Sequence, residues 1–101
     1  MSDLKFVAGS ETSLAAAQSI EEIRGVKRRL VWKEIYRLKE WGATDDELQV
    51  TLAMNPSTER PRRVELVESG LVIGSGGRRP TRSGRLAVVW VAKEFYRPPE
   101  E

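Results

Sequence analysis

Arginine side chains are concentrated in two short stretches of this 101-residue chain. One group follows the residues N-P-S-T at positions 55–58, and the other lies among glycines and serines. The first group is Arg60, Arg62 and Arg63, and the second is Arg78, Arg79, Arg82 and Arg85. A guanidinium presents its N–H groups in a fixed fork that fits phosphate oxygens and the edge of guanine. The two stretches therefore indicate binding of a polyanion.

The other charges are also distributed unevenly. Residues 24–42 contain seven basic and two acidic side chains, and residues 70–92 contain four arginines and no acid. The net charge is only +2, so the remaining segments together are acidic. Such segregation is typical of a protein that binds a polyanion, and a solvated basic surface without a partner is the alternative. In the first segment, a second phosphate contact or mere solvation is expected for Arg24, Lys27, Arg28 and Arg29.

The chain contains no cysteine and no histidine. This excludes zinc sites with thiolate or imidazole ligands, and catalytic centres of the Ser-His-Asp or Cys-His type. Asp45, Asp46 and Glu47 would suit a metal ion, but helix capping explains them better. The residues G-S-G-G at 74–77 lack the lysine and the helix of a P-loop. We therefore expect no enzyme activity, no cofactor and no metal.

Length and hydropathy predict one domain over residues 10–92. Residues 1–9 are predicted to form a flexible arm, and residues 93–101 a frayed tail. No apolar run approaches the ~20 residues that a membrane-spanning helix needs, and the start of the chain does not have the pattern of a signal peptide. We expect no membrane contact and a cytoplasmic location, which suits a chain without cysteine.

Two helices are predicted before residue 43. The first begins at a cap, Ser10 or Thr12, and ends at Gly25. The second spans residues 26–41 and ends at Gly42. Its predicted inner face contains Val26, Leu30, Val31, Ile35, Leu38 and Trp41. Trp32 and Tyr36 fall on the opposite side, where either the first helix or a second copy of the chain would cover them.

Two shorter helices and a hairpin follow. Thr44 and Glu47 form a T-x-x-E capping box, and this helix ends by Met54. The next begins at Ser57 or Thr58, has Pro61 in its first turn, and ends at Gly70. Its predicted buried side chains are Val64, Leu66 and Val67. Residues 71–92 then predict a β-hairpin with apolar strands at 71–73 and 86–92, a turn at Ser83-Gly84 and a bulge near Gly74–Gly77.

This order of elements resembles the winged helix-turn-helix fold, an α+β, mostly helical class with a three-helix core and a β-hairpin wing. The resemblance covers residues 26–92, with an extra N-terminal helix. It depends on the stretches T-D-D-E-L-Q-V-T-L-A-M-N-P-S-T-E-R-P-R-R-V-E-L-V-E-S-G-L-V and R-R-P-T-R-S-G-R-L-A-V-V-W. With the lead-in S-E-T-S-L-A-A-A-Q-S-I, the chain is similar to small winged-helix proteins encoded by phages and prophages.

The resemblance implies binding of double-stranded DNA in a bacterial cell, in transcription regulation or in replication or recombination, with a nucleoid-associated location. A recognition helix at about 57–69 would enter the major groove, and a wing at about 78–85 would contact backbone or minor groove. The implied DNA-binding residues are Asn55, Ser57, Thr58, Arg60, Arg62, Arg63, Arg78, Arg79, Arg82 and Arg85. Glu59 would accept a hydrogen bond from cytosine or help to start the helix, and Arg63 is the arginine most expected to lie along the core.

Two questions stay open at this level. A homodimer would read two half-sites, whereas a monomer would read one. The alternative function is a protein-interaction module that grips a partner such as a polymerase through Trp32 and Tyr36.

Overall fold

The computed structural model describes the backbone of residues 9–98 and the side chains of residues 22–98. Three α-helices are followed by a two-stranded antiparallel hairpin, so the class is α+β and the layout is compatible with a winged helix. The elements are α1 (Gly9–Arg37), α2 (Asp45–Leu52), α3 (Pro56–Glu68), β1 (Val72–Pro80) and β2 (Leu86–Ala92), with 3-10 turns at Lys39–Trp41 and Lys93–Phe95. Except for Gly9, the predicted flexible arm lies outside the described residues, as do the last three residues of the predicted tail.

Helix α1 is one continuous 29-residue helix, so the predicted break at Gly25 is wrong. The predicted caps Ser10 and Thr12 fall inside the same helix, which begins at Gly9. A glycine inside a helix costs only about 1 kcal/mol relative to alanine. Ending one helix and nucleating another costs more, because each nucleus fixes several residues for a single hydrogen bond.

Only part of the predicted inner face of this helix is buried. Val31 and Ile35 are fully buried, and Leu38 packs against the core. Val26 and Leu30 are exposed, as is Trp41 in the following 3-10 turn. The core of the molecule therefore packs against the C-terminal part of α1, and the apolar stripe continues beyond it.

The start of α2 is the predicted capping box. The Thr44 hydroxyl accepts from the Glu47 N–H at 3.1 Å, and the Thr44 N–H donates to Glu47 Oε1 at 3.0 Å. Leu48 is buried and Leu52 packs against the core. Ala53 adopts φ 54° and ends the helix before Met54, as predicted.

The start of α3 differs from the prediction. Its N-cap is Asn55 rather than Thr58, because the Asn55 side chain accepts from the Thr58 N–H at 2.9 Å. Pro56 is the first helical residue, so Pro61 lies inside the helix, where it removes the hydrogen bond to the Ser57 carbonyl. Val64, predicted to be buried, is 38% exposed. Gly70 follows the C-cap with φ 83°, as predicted.

The hairpin pairs Val72 with Ala92 at its base and Pro80 with Leu86 near its tip. Its register shifts between Gly74 and Arg78, in the glycine-rich segment that the sequence predicts to loosen or bulge the first strand. The base is joined to the helices through Ala43, whose N–H and carbonyl both bond to Trp90, at 2.9 and 2.7 Å. The wing root is therefore fixed to the segment between α1 and α2.

One apolar cluster holds these elements together. Its buried members are Val31, Ile35, Ala43, Leu48, Met54, Leu66 and Val72. Trp32 packs against this cluster, and Phe95 contacts the Tyr36 ring with centroids 5.2 Å apart. The Tyr36 hydroxyl donates to Glu94 at 2.9 Å, which raises the pKa of Tyr36. The C-terminal turn contacts this face but leaves Tyr36 40% exposed. The predicted cover by a separate first helix is wrong, because Trp32 and Tyr36 belong to the same continuous helix as residues 9–25.

No helix in the described part of the chain combines the length and apolar character needed to span a membrane.

Candidate nucleic-acid interface

The first turn of α3 presents polar side chains to solvent. Asn55, Ser57 and Arg60 are exposed, and Thr58 is half-buried. The Ser57 hydroxyl donates to Asn55 Oδ1 at 2.7 Å, so the same carboxamide holds both the hydroxyl and the Thr58 amide. These residues, with the positive end of a 13-residue helix, can bind an anion such as a phosphate.

The other two arginines of α3 turn inward. Arg63 donates two hydrogen bonds to Asp45, at 3.0 and 2.7 Å, and its guanidinium lies 4.2 Å from the centre of the Trp90 ring. The expectation that Arg63 lies along the core agrees with this placement. Arg62 donates to Glu65 at 2.7 Å and is 12% exposed. Arg63 therefore joins α3 to α2, whereas Arg62 is paired within α3, and neither side chain is displayed at the surface.

Burial acts to raise the pKa of Asp45, but the hydrogen bonds and charge of Arg63 outweigh it and hold the pKa below its usual value. The same pairing raises the pKa of Arg63. The Arg63–Asp45 ion pair therefore links α3 to α2, and the guanidinium of Arg63 also lies against Trp90 of β2.

Glu59 is completely buried, so the predicted contact with cytosine is wrong. Its Oε1 accepts from Gln49 at 2.9 Å, and its Oε2 is buried without a partner. Burial, followed by the neighbouring Asp45 carboxylate, raises the pKa of Glu59 to about 8. This side chain is a neutral acid at neutral pH and fastens α3 to α2.

Two arginines of the hairpin are paired with acids of α2, although residues 70–92 themselves contain no acid. Arg79 bonds to both oxygens of Glu47, at 2.9 and 2.7 Å, and to the carbonyls of Trp41 and Gly42. Arg82 donates to Asp46 at 2.8 Å. The hairpin folds over the start of α2, which brings together residues 32 to 36 positions apart.

Both ion pairs lower the pKa of the carboxyl group involved. The hydrogen bonds from Arg79 are the main cause that lowers the pKa of Glu47, and those from Arg82 lower the pKa of Asp46. Arg79 also lies 4.1 Å from the centre of the Trp41 ring. With 19% of its side chain exposed, Arg79 is a structural link, whereas Arg82 keeps 69% exposed.

Arg78 and Arg85 are exposed, and so is Arg60 of α3. Among the side chains that the structure describes, none of these three has an acidic partner. They are the arginines of the sequence-based set that solvent, or a ligand, can reach without breaking an ion pair.

A groove of about 500 Å³ separates α1 from the start of α3. It is lined by Ile23, Arg24, Lys27, Ser57, Thr58, Pro61 and Arg62. Arg24 and Lys27 thus lie beside the polar first turn of α3, while Arg28 bonds to Glu65 at 3.0 Å. The sequence nominated this basic segment but gave no sign of which members face α3.

Two residues that hold side chains of the interface in place were not identified as such from the sequence. Gln49 holds Glu59, and the backbone and ring of Trp41 hold Arg79. Neither has a local signal, because both partners are distant in sequence. In the described part of the chain, no group of three or more acidic side chains is placed to hold a metal ion.

A scan against protein-family models, a search of curated proteins and a search of solved structures each find no match to this chain.

Proposed function

We propose that the protein is a winged-helix domain that binds double-stranded DNA. In this proposal the start of α3 enters the major groove and the β1–β2 hairpin acts as the wing. The observation that carries it is the placement of Arg60, Arg78 and Arg85, which are exposed and without acidic partners among the described side chains. The nearby acids are engaged by other arginines, so they oppose a polyanion less than their number implies.

The proposed contacts divide by chemistry. Asn55, Ser57 and Thr58 contribute hydroxyl and amide groups at a helix start, which suit phosphates. Arg60 is the candidate for reading a guanine edge, because it alone among the α3 arginines is exposed. Arg78, Arg85 and the mostly exposed Arg82 supply wing contacts to phosphates or a minor groove. Arg62, Arg63 and Arg79 shape these surfaces.

The groove beside α3 supplies a further phosphate contact. Ser57 and Thr58 line this groove, so a backbone phosphate seated there would meet two hydroxyls beside the basic segment 24–29 of α1. This function requires no catalysis, cofactor or metal. A role in transcription regulation or in replication or recombination stays a prediction, as does a phage or prophage origin.

The proposal is tested by fluorescence anisotropy with labelled duplexes, both random and enriched from a random pool, at two salt concentrations. We expect salt-sensitive binding that Arg60→Ala and the double change Arg78→Ala/Arg85→Ala each weaken at least ~10-fold. Arg37→Ala is the matched control, because Arg37 is 66% exposed but pairs with Glu34 at the far end of α1. No binding at low salt, or equal losses in the control, would overturn the proposal. Retained capture of a protein partner, lost on changing Trp32 or Tyr36, would then support the alternative function.

A further inference from the structure

An apolar stripe on α1 lies apart from the core. Ile23, Val26 and Leu30 are 57%, 49% and 40% exposed. Their spacing of three and four residues places them on one side of the helix. At 100° per residue, this side is rotated by roughly 80–140° from Val31 in the buried face. The body of the protein therefore leaves the stripe uncovered.

A shallow groove of about 260 Å³ lies along this stripe. Its lining is Glu22, Ile23, Val26 and Lys27, so an apolar floor is flanked by one acid and one base. Neither Glu22 nor Lys27 has an ion-pair partner among the described side chains. A partner for this groove must offer apolar side chains between charges of both signs.

We propose that a second copy of this chain packs against the stripe, with the two α1 helices parallel and in register. The spacing assigns Ile23 and Leu30 to position a and Val26 to position d of a heptad. Glu22 then takes position g and Lys27 position e. In a parallel pair, a g residue meets the e residue five positions later in the other helix. Glu22 of each copy therefore meets Lys27 of the other.

The charges also select the orientation. An antiparallel pairing that matches Val26 with Leu30 of the second copy would bring the two Lys27 side chains together. Two positive charges brought close together in this way oppose association. The parallel arrangement instead makes two opposite-charge pairs and places all three apolar residues against their own copies.

The shape of the molecule supports a partner at this site. The Cα atoms extend 63 × 29 × 18 Å, and their radius of gyration is 17.7 Å. A compact domain of this length has a radius of about 13 Å. The difference reflects α1, whose 29 residues alone span about 43 Å. A helix gains most of its stability in water from tertiary packing, and a second copy would supply packing for the exposed side chains of Ile23, Val26 and Leu30.

This dimer differs from the one considered on the sequence, because it uses Ile23, Val26 and Leu30, whereas Trp32 is half-buried against the core and Tyr36 contacts Phe95. It does not rest on DNA binding and is measured without DNA. Failure of one proposal is therefore distinguishable from failure of the other.

Sedimentation equilibrium over a wide concentration range tests the association. We expect the mass to rise toward twice the 11.4 kDa of one chain. Ile23→Gln should raise the dissociation constant at least ~10-fold. Val50→Gln, at an equally exposed valine of α2, should not change it. A single-chain mass at all concentrations, or equal effects of the two variants, would overturn the proposal.

Charge reversal tests the geometry independently of apolar packing. Glu22→Lys and Lys27→Glu should each weaken the dimer, and the double variant should restore it. Because the chain has no cysteine, single cysteines report proximity directly. Ile23→Cys and Leu30→Cys should each form a disulfide-linked dimer, whereas Gly25→Cys, at position c on the side of α1 that faces Leu66 and Leu71, should not. A double variant that dimerises more weakly than both single variants would refute the parallel seam. Disulfide cross-linking only at position 25 would refute it as well.

Discussion

The arginines of the candidate interface divide by whether a carboxylate of α2 lies within their reach. Asp45 holds Arg63, Asp46 holds Arg82, and Glu47 holds Arg79. The same three acids stabilise the positive end of α2, so each serves both a helix end and a contact with another element. Arg62 pairs instead with Glu65 of its own helix, so Arg60, Arg78 and Arg85 are left for a ligand without breaking an ion pair.

We predict that Arg79→Ala lowers stability and that Arg85→Ala lowers DNA affinity. Arg79 makes four hydrogen bonds, two of them to the Glu47 carboxylate that also caps α2. Its loss should reduce the free energy of unfolding by about 1–3 kcal/mol. Arg85 is exposed, so its removal should change unfolding by less than about 0.5 kcal/mol. Urea unfolding and duplex binding measure the two effects, and the reverse assignment would contradict this division.

We predict that the buried Glu59 side chain makes a contribution to stability that decreases as pH rises. Glu59 has a folded-state pKa of about 8 against an ordinary value of 4.5, so folding favours its protonated form. Its stabilising contribution is complete below about pH 4.5 and is lost as pH rises toward 8. Glu59→Gln keeps a neutral side chain whose carbonyl oxygen can accept from Gln49. We expect this variant to be more stable than the parent at pH 8, by roughly 2–4 kcal/mol.

Urea unfolding at pH 5, 6.5 and 8 would measure this effect. The matched control is Glu68→Gln, at an exposed acid of the same helix. The carboxyls with lowered pKa values act in the opposite sense, because Asp46 and Glu47 lose their contribution as pH falls through the acid range. A Glu59→Gln variant with the same dependence as the parent between pH 5 and 8 would show that Glu59 is ionised in the fold.

At the scale of elements, the sequence was informative wherever a boundary is set by neighbouring residues. The capping box at Thr44 and Glu47, the end of α2 before Asn55-Pro56, and Gly70 after α3 all follow local rules. The predicted helix end at Gly25 is wrong because glycine permits a helix end without requiring one. The cap of α3 was misplaced by three residues because Asn55, Ser57 and Thr58 are all acceptable caps.

Two glycines provide a test of α1 and of the wing root. Gly25→Ala should add about 0.5–1 kcal/mol of stability, because a β-carbon there meets nothing within 4 Å. Gly42→Ala should cost about 2–4 kcal/mol, because Gly42 has φ 65° and its β-carbon would lie 2.5 Å from the Trp90 carbonyl oxygen.

Circular dichroism at 222 nm and thermal unfolding would measure both variants. If α1 were instead two helices separated at Gly25, Gly25→Ala would remove a helix stop and lower stability. Tolerance of alanine at residue 42 would contradict the close approach between this segment and β2.

At the scale of the whole molecule, the sequence predicted the segregated charge but not its pairing. From the sequence alone, seven arginines were predicted at the interface, and the hairpin contained no acid. Folding brings Glu47 against Arg79, 32 residues away, and Asp46 against Arg82, 36 residues away. No local pattern encodes such contacts, because they follow from the angle at which the hairpin lies over α2. The sequence therefore predicted which segments are rich in arginine, and the fold reduces the number of those arginines that a ligand could reach.

The salt dependence of DNA binding should report both the interface and the assembly. Each phosphate contact contributes roughly −0.9 to the slope of log affinity against log salt. If the wing residues Arg78, Arg82 and Arg85 each contact one phosphate, a single copy gives about −2.7, and a dimer that engages both copies gives about −5.4. Ile23→Gln leaves the charge unchanged and breaks the proposed seam, so it should halve the slope of the parent. Anisotropy titrations at 50–300 mM salt would measure both slopes. Equal slopes would show that one copy binds DNA alone, whereas a slope near zero would show that these arginines do not contact phosphates.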